Sequence, residues 1–430
     1  MSGQEQSRTA TPAGAASDRL NQGCFCVTLD RQALCRAFEQ ETGDAAFCAT
    51  LLETRPHLFS NVAVFVPTPV FERMLAVVRA IEAVSRLPAY RDAVLAWAPG
   101  IARHDPGPVG AFMGYDFHIE ADGPQLIEVN TNAGGAFLTA PLARAQRSCC
   151  ADARQAHGQA DADQFEPAVL RMFQAEWSRQ GRSGTPKRIA IVDDDPVAQY
   201  LHPEFVLAQR FFERHGIEAV VADGRHLLYE QGVLQAGGRP IDLVYNRLVD
   251  FALAQPEHVA LRSAYLDGAV VVTPNPRAHA LLADKRDLTL LSDLRRLRQL
   301  GVEPAESDVL AAGIPPTVLV TPGDADELWR ARKGLFFKPA GGHGSKAAYR
   351  GDKLTKSVWA QVTAGGYVAQ ALAAPGVRAI RVDQSSEVLK TDVRLYTYAG
   401  DVLLAAARLY QGQTTNLRTP GGGFAPVFQV

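Results

Sequence analysis

The pattern of apolar residues between residues 186 and 283 constrains the fold of this chain more than any other feature. Four short runs rich in β-branched residues, RIAIVDD, IEAVVAD, DLVYNRL and AVVVTPN, alternate there with segments of helical character. Apolar strands that alternate with helices are typical of a parallel sheet with helices on both faces. The sequence therefore predicts a doubly wound α/β domain over residues 151–283.

The pattern differs on either side of this domain. Residues 27–100 carry apolar side chains at helical spacing, and a short β region follows at residues 111–131. After residue 312 the chain consists mainly of hairpin-like strand pairs, which predict an α+β unit with an antiparallel sheet. Residues 1–20 are small and polar, so we expect a disordered tail there.

Length and charge narrow the classes of function. A chain of 430 residues that is 47% hydrophobic and 21% charged is long enough for two or three domains. Its formal net charge of −2 argues against a general nucleic-acid surface, which needs clustered positive charge. Apolar runs such as residues 268–273 are too short to span a bilayer, and residues 1–20 lack the apolar core of a signal peptide. We therefore expect a cytoplasmic protein that binds neither nucleic acid nor membrane.

All six cysteines lie in the first 150 residues. They are Cys24, Cys26, Cys35, Cys48, Cys149 and Cys150. One C-x-C pair and one vicinal pair do not have the spacing of a zinc module. Because structural disulfides are rare in the cytosol, we expect buried, reduced thiols that say nothing about function.

The segment GYDFHIEADGPQLIEVN contains a candidate metal site. Its Asp-Gly pair is typical of a hairpin turn, and a hairpin centred near residue 122 places Asp116 opposite Glu128. Asn130 shares the face of Glu128 because side chains alternate along a strand. Two facing carboxylates have Cβ atoms about 5 Å apart and repel each other unless a cation or a proton lies between them. With an amide oxygen they form the kind of donor set that holds Mg²⁺, and the following TNAGGA supplies small residues beside a ligand.

Two lysines and a glycine-rich turn mark a candidate phosphate site. In FFKPAGGHGSKA, Lys338 ends an apolar strand and Gly341, Gly342 and Gly344 follow it. Such a turn between strands can close its backbone amides over phosphates, although a plain flexible loop has the same composition. The residue order of a Walker A loop is absent. Lys285 in NPRAHALLADKRDL is a weaker candidate because most helix lysines are solvated.

A second hairpin, TDVRLYTYAGDVLLAAARLY, turns at its Ala-Gly-Asp sequence. A centre at residue 400 sets Asp392 opposite Arg408, with Arg394 on the same face. The arginines can be paired structurally with acids, but beside a candidate metal site they also form a candidate clamp for a transferring phosphate. The ending YQGQTTNLRTPGGGFAPVF either adds polar groups and glycines to this site or forms a loose loop.

Taken together, these motifs resemble those of the glutathione synthetases of the ATP-grasp superfamily. The matching segments are Asp284-Lys285, Thr317 to Thr321, Lys338 to Gly344, Ala369-Gln370, Asp392 through Arg408, and Gly412 to Asn416. The G-x-D…E-x-N pattern of Asp116, Glu128 and Asn130 resembles their metal-binding motif. In the bacterial enzymes this motif comes last, whereas here it comes first, which is similar to the circularly permuted order of the eukaryotic enzymes. The resemblance covers residues 111–138 and 273–428; His343 and the segment before residue 110 depart from it.

The resemblance implies a circularly permuted ATP-grasp fold. The metal-binding half would lie with a helical region in residues 21–150, the substrate domain in residues 151–283, and the nucleotide-binding subdomains in residues 284–430. The implied activity is an ATP-dependent ligase that joins a carboxylic acid to an amine through an acyl phosphate and releases ADP and phosphate. ATP and Mg²⁺ are the implied cofactors, and a homodimer is compatible with the resemblance.

The same resemblance implies a role for each motif. Asp116, Glu128 and Asn130 would hold Mg²⁺, and the groups acting on the transferring phosphate would be Arg394, Arg408 and Lys338. The implied nucleotide contacts are Lys285, Lys338, Gly341, Gly342, Gly344, Gln370 and Arg408. The candidate substrate contacts are Arg247, Thr131, Asn132, Thr415, Asn416, Arg418, Gly421 and Gly422. For Arg247, at a predicted strand end, a structural ion pair is an equal alternative.

Three other functions share parts of this pattern. A phosphotransferase could use the same nucleotide site and would form a phosphorylated product instead of an amide. A phospho-receiver module is suggested by Asp193 to Asp195, but Asp242 precedes its strand and AVVVTPNPR offers no lysine. A nucleotide-binding protein without catalysis does not explain the intact set of acids, lysines and arginines.

Overall fold

A computed structural model describes residues 12–25, 27–148, 159–341, 347–382 and 385–430. Within these ranges, no helix is both long and apolar enough to cross a membrane. The helical spacing predicted for residues 27–100 is confirmed, with two short strands among the helices. The elements up to residue 97 are α1 (Pro12–Gly23), β1 (Val27–Leu29), α2 (Arg31–Thr42), α3 (Phe47–Thr54), β2 (Val64–Val66), α4 (Thr68–Val84) and α5 (Pro88–Trp97).

Helix α1 corrects the tail predicted for residues 1–20 in its second part, because the helix covers Pro12–Gly23. The prediction for residues 1–11 falls outside the described residues. The sequence of α1, PAGAASDRLNQG, is rich in alanine, the best helix former, and starts with the proline that first turns accept. The side chain of Asn21 donates to the backbone carbonyl of Phe65 at 2.8 Å and accepts from the Phe65 amide at 3.0 Å. These contacts to β2 order a segment whose composition alone predicts disorder.

A disulfide between Cys35 and Cys48 corrects the expectation that the cysteines are reduced. It joins α2 to α3, which pack against each other and bring the two Cα atoms to 5.1 Å, within the usual range for a disulfide. Cys24 is buried, as predicted. The predictions for Cys26, Cys149 and Cys150 fall outside the described residues.

The predicted doubly wound domain is confirmed. Four strands pair in parallel in the order β12-β11-β6-β7. Side chains alternate across the sheet: Ile189 and Ile191 pack in the core that contains α8, whereas Ala190 and Val192 pack in the core that contains α9. The elements of this part are α7 (Gln159–Arg179), β6 (Arg188–Asp193), α8 (His202–Arg214), β7 (Glu218–Asp223), β8 (Leu227–Glu230), β9 (Val233–Ala236), β10 (Arg239–Pro240), β11 (Leu243–Asn246), α9 (Val259–Leu266) and β12 (Val271–Thr273).

The predicted antiparallel unit after residue 312 is also present, as a four-stranded sheet in the order β13-β16-β14-β15. Short helices precede it and connect its strands. The elements are α10 (Pro276–Leu282), α11 (Asp287–Leu291), α12 (Leu294–Gln299), α13 (Pro304–Gly313), β13 (Thr317–Leu319), α14 (Ala325–Ala331), β14 (Leu335–Pro339), β15 (Tyr349–Arg350), α15 (Lys356–Thr363) and β16 (Tyr367–Ala371).

A seven-stranded sheet joins the two distant hairpins. Its order is β2-β20-β19-β18-β3-β4, and a further strand, β17, pairs with β18. One face, with Val393 and Leu395, packs on α4, while the other face carries Asp392 and Arg394. The elements are β3 (Met113–Glu120), β4 (Gly123–Asn130), α6 (Ala136–Arg144), β5 (Gln146–Ser148), β17 (Gly376–Val382), β18 (Ser385–Tyr398), β19 (Asp401–Tyr410) and β20 (Gly423–Gln429).

Candidate functional site

A cavity of about 450 Å³ is lined by the seven-stranded sheet and the four-stranded antiparallel sheet. Both sheets and the segments that follow them contribute to its wall. The predicted site residues that line it are Asp116, Glu128, Asn130, Lys285, Lys338, Gln370, Arg394, Arg408, Thr415 and Asn416. Side chains that lie up to 300 positions apart in the sequence therefore meet around one space.

The first hairpin has the predicted pairing, and its second strand contains one extra residue that has no partner on the first. Asp116 is opposite Glu128, and the register then shifts because Ile127 forms a bulge in β4. Glu120 therefore pairs with Gly123, which moves the two-residue turn one position earlier than predicted. The bulge also turns the Ile127 carbonyl toward β14, where Lys338 Nζ donates to it at 2.6 Å.

Asp116 is held between the two predicted arginines. Arg394 binds it with two hydrogen bonds, from Nε to Oδ1 at 2.6 Å and from Nη2 to Oδ2 at 2.7 Å, and Arg408 Nη2 lies 2.8 Å from Oδ2. The carboxylate is 4% exposed. Burial alone would raise the pKa of Asp116, but the charges of the two arginines outweigh this effect and lower the pKa to about 2. Asp116 therefore stays ionised and fixes the direction of both guanidinium groups.

The oxygen atoms that remain for a cation belong to Glu128 and Asn130. Asn130 Nδ2 donates to Asp116 Oδ2 at 3.1 Å, which leaves the amide oxygen for another partner. In the described parts of the chain, no three acidic, histidine or cysteine side chains are grouped to hold a metal by themselves. One carboxylate and one amide oxygen fit a magnesium ion that takes its other ligands from phosphate and water.

Lys338 is a buried cation close to Glu128. Besides the Ile127 carbonyl, its ammonium donates to Gln370 Oε1 at 2.8 Å. Burial lowers the pKa of Lys338 to about 8, against the opposing effect of Glu128. Gln370 Nε2 is enclosed and has no hydrogen-bond partner among the described residues, so it is a donor available to a ligand. Lys285 also lines the cavity and is partly exposed.

The second hairpin has the predicted Asp392–Arg408 pairing, with the turn at Ala399-Gly400. Arg408 Nε donates to Asp392 Oδ1 at 2.7 Å. The hydroxyl of Thr415 donates to the other oxygen of Asp392. Arg408 is thus oriented by one carboxylate from each hairpin, which is the arrangement expected of a rigid anion-binding group.

Other predicted substrate contacts lie away from the cavity lining. Arg247 is buried 3.8 Å from Glu204 and donates to the Tyr245 hydroxyl at 3.1 Å, which favours the structural ion pair. Asn132 donates to the backbone carbonyl of Arg247 at 3.2 Å, and Thr131 bonds to the ring of His279 at 3.1 Å.

Arg418 and the predicted glycines of the site also lie in environments that the sequence did not predict. Arg418 and Gly341 are exposed. A side chain at Gly421 would meet Ile380, and one at Gly422 would meet the Leu409 carbonyl, so both glycines allow close backbone packing. Gly342 and Gly344 lie outside the described residues, so their predicted role stays a prediction.

Several lining residues were not predicted. His118, Arg350, Lys390 and Tyr410 all contribute to the wall. The alternation of a strand was a usable signal for two of them, because His118 follows Asp116 by two positions and Tyr410 follows Arg408 by two. Arg350 and Lys390 could be identified as lining residues only from the way the two sheets pack.

Comparison with known proteins places the fold. No protein-family model matches the chain, and no curated protein matches it in sequence. A glutathione synthetase-like effector from Globodera pallida, solved in its apo form, covers 93% of this chain and 98% of its own, with 12% identity and a TM-score of 0.55. This match confirms the predicted glutathione synthetase-like fold, and at 12% identity it shows the fold alone.

Two further solved structures are more distant. A protein assigned as a γ-glutamylcysteine synthetase from Methylobacillus flagellatus covers 85% of this chain and 89% of its own, with 11% identity and a TM-score of 0.46. D-alanyl-alanine synthetase A from Vibrio cholerae covers 50% of this chain and 69% of its own, with 14% identity and a TM-score of 0.28. Neither likeness is close enough to carry an argument about this chain.

Proposed function

We propose that this chain is an ATP-dependent ligase that joins a carboxylic acid to an amine through an acyl phosphate. The observation that supports this most directly is the grouping of cations around one cavity. Lys285, Lys338, Arg394 and Arg408 line it together with the oxygen donors of Glu128 and Asn130. A nucleoside triphosphate with its bound metal ion has the negative charge that several fixed cations beside two metal-binding oxygens would accommodate.

The cations have distinct tasks in this proposal. Lys285 and Lys338 bind phosphate oxygens of ATP as point charges. Arg394 and Arg408, already aimed by Asp116, face the oxygens on which negative charge grows during phosphoryl transfer. Because their positions are fixed before the substrate arrives, little reorganisation is needed when that charge develops.

A magnesium ion fits the same wall. Glu128 and Asn130 are the residues that would hold it, and it would supply charge neutralisation between phosphate oxygens. We assign Asp116 to the arginines and not to the metal, because its oxygens already accept three hydrogen bonds from guanidinium and amide groups. This revises the three-residue metal set inferred from the motif.

The proposed chemistry has two steps. A carboxylate oxygen of the acid attacks the γ-phosphorus of ATP, the bond to the β-phosphate oxygen breaks, and ADP leaves. The amine then attacks the acyl carbon, phosphate leaves, and the nitrogen loses a proton to form the amide. The second step produces a tetrahedral oxyanion, for which the same two guanidinium groups are candidate donors.

The order of the motifs along the chain is part of the proposal. The oxygen donors come from residues 114–130 and the phosphate-binding cations from residues 285–408, which is the rotated order of a circularly permuted ATP-grasp enzyme. In this scheme the parallel α/β domain contributes to substrate binding.

The test is ADP and phosphate release by the purified protein with Mg-ATP and a panel of acids and amines. We expect both products only when an acid and an amine are present together, and loss of turnover in Glu128→Gln. Asp401→Asn, which changes an exposed acid at the turn of the second hairpin, is the matched control and should retain full activity. A phosphorylated product without free phosphate would instead identify a phosphotransferase. Absence of Mg-ATP binding would overturn the assignment of the whole site.

A further inference from the structure

The loop that follows β11, residues 247–258, supports the segment that carries one of the proposed metal-binding oxygens. We call it the β11 loop. Asn132, two residues after Asn130, donates from its side-chain nitrogen to the carbonyl of Arg247 at 3.2 Å and to the carbonyl of Leu248 at 3.3 Å. The position of the β11 loop therefore affects how firmly Asn132 is held.

An aromatic stack attaches the same loop at a second point. Phe251 lies parallel to the ring of His279, with the ring centroids 3.8 Å apart and an interplanar angle of 7°. Nδ1 of His279 lies 3.1 Å from the hydroxyl of Thr131, which directly follows Asn130. Two independent contacts thus connect the β11 loop to residues 130–132.

A buried histidine holds the far end of the β11 loop. His258 is 0% exposed, and each of its ring nitrogens meets a carboxylate. Nδ1 lies 2.8 Å from Oδ2 of Asp250, within the same loop, and Nε2 lies 2.9 Å from Oδ1 of Asp194, in the loop after β6. Asp250 also accepts from the amide of Gln255 at 2.8 Å. The ring therefore ties the loops after β11 and β6 together at the carboxyl edge of the parallel sheet.

These two contacts require a charged ring. A carboxylate only accepts hydrogen bonds, whereas a neutral imidazole has one donor and one acceptor. Both contacts of His258 are hydrogen bonds only when both nitrogens carry a proton, and loss of one proton sets a nitrogen lone pair against a carboxylate oxygen. Burial alone would lower the pKa of His258, but its hydrogen bonds to Asp250 and Asp194 outweigh burial and raise the pKa.

The charges around the ring also favour the imidazolium form. Gly224 packs on the ring from the end of β7, where a Cβ would lie 3.1 Å from Cδ2 of His258. Its neighbours Asp223 and Arg225 form an ion pair with each other. Six acids and three arginines lie on the segments that pack around the ring, and one further histidine can titrate there. These residues are Asp193, Asp194, Asp195, Asp223, Arg225, His226, Arg247, Asp250, Glu257 and Arg262.

We propose that His258 is a pH-dependent latch: its imidazolium holds the β11 loop against the loop after β6, and its deprotonation releases the β11 loop and the support that this loop gives to residues 130–132. The latch itself does not depend on the ligase chemistry, whereas its effect on Mg-ATP binding rests on the proposed function. Because the folded pKa of His258 lies above the ordinary value of 6.5, the latch is closed below pH 6.5 and opens as the pH rises through the folded pKa.

Hydrogen exchange of residues 248–258 in the full chain, at pH 6 and pH 9, tests the latch. Protection factors correct for the base-catalysed chemical rate of exchange. In wild type we expect protection to fall about tenfold or more between these pH values, the scale of one lost hydrogen bond to a charged group. His258→Phe keeps a ring without donors and should have low protection at both pH values.

Asp194→Asn is the variant that distinguishes a latch from a merely structural contact. Its carboxamide accepts from the charged ring and donates to the unprotonated Nε2 of the neutral ring, while Nδ1 still donates to Asp250. Protection should therefore stay high at both pH values. An equal loss of protection in wild type and Asp194→Asn, or no loss in wild type, would overturn the latch. Thermal melting identifies variants that do not fold, and Asp194, whose side chain is 34% exposed, keeps the test valid if His258→Phe does not fold.

Binding of Mg-ATP tests the connection from the latch to the site. Lys338, and Asp193, whose pKa burial raises to about 6, are present in wild type and in Asp194→Asn alike. We therefore compare the dissociation constants of these two proteins at each pH. The ratio of wild type to variant should be about one at pH 6 and about three to ten at pH 9, the scale of one lost hydrogen bond.

The outcomes separate the latch from the proposed function. A ratio that stays at one at pH 9 overturns the connection to residues 130–132. If wild type does not bind Mg-ATP at either pH, the proposed function is overturned, and the hydrogen-exchange result still decides whether His258 is a latch.

Discussion

Replacing Asp116 by asparagine tests the charge arrangement at the centre of the site. The substitution keeps the shape of the side chain and removes the anion between Arg394 and Arg408. One side-chain nitrogen of asparagine would then face a guanidinium donor. The expected result is a less stable protein whose two arginines are no longer directed at the cavity.

The loss of stability expected for Asp116→Asn follows from two separate arguments. The pKa of Asp116 falls from 3.8 to about 2 on folding, and a shift of this size corresponds to about 2 kcal/mol at neutral pH. Removal of one partner from a buried ion pair typically costs about 3–5 kcal/mol. For 430 residues unfolding together, an unfolding entropy of about 2 cal/mol/K per residue converts this range to a decrease in Tm of roughly 2–6 °C.

The stability that Asp116 contributes changes with pH in a definite direction. The folded pKa is lower than the unfolded pKa, so the stability that Asp116 contributes is present above about pH 4 and is lost as the pH falls toward 2. The difference in Tm between wild type and Asp116→Asn should therefore be full at pH 7 and smaller at pH 3. Calorimetry at both pH values measures it, with Asp401→Asn as the control that stays within about 0.5 kcal/mol of wild type. A soluble Asp116→Asn variant with unchanged Tm at pH 7 would refute this account of the ion pairs.

Two further predictions follow from the same structure. Since the pKa of Lys338 is lowered to about 8, its positive charge is lost as the pH rises through that value, and Mg-ATP affinity should fall up to about tenfold between pH 7 and pH 9. Binding titrations of Lys338→Gln should show weaker affinity without that fall; a fall of equal size in the variant would contradict the assignment. Gly135→Ala should lower the free energy of unfolding by about 2–4 kcal/mol, because φ is +108° and the new Cβ would lie 2.3 Å from the Phe424 ring. Gly216→Ala, with a φ of +75° and nothing within 4 Å, should cost about 1 kcal/mol in the same denaturation assay.

The pairing within each hairpin could be predicted because the information is local. A turn sequence and strict alternation set Asp116 against Glu128 and Asp392 against Arg408, and both pairs are present. The bulge at Ile127 has no comparable signal, since its neighbours in the sequence are ordinary strand residues. The consequence of the bulge is also non-local, because the Ile127 carbonyl accepts from the ammonium of Lys338, which lies on another sheet.

Contacts between distant segments could not be derived from local patterns. Nothing in the sequence around Asp116 shows that β3 pairs with β18, and the resemblance to a family implied only that both hairpins contribute to one site. The same limit applies to Arg247, whose strand-end position was predicted while its buried partner Glu204 was not. The Cys35–Cys48 disulfide was excluded on the expected compartment, although the packing of two helices decides whether the sulfurs can meet.

The seven-stranded sheet also determines when the site can form during synthesis. Asp116 and Arg394 are 278 positions apart, and at about 5–20 residues per second a ribosome needs roughly 14–56 s to pass from one to the other. During that interval β3 has β4 as a partner but lacks β18, and one edge of the hairpin stays open to other nascent strands. The carboxylate of Asp116 stays hydrated until both arginines have been synthesised. The charged cavity therefore forms late in translation and is not a nucleus around which the chain can fold.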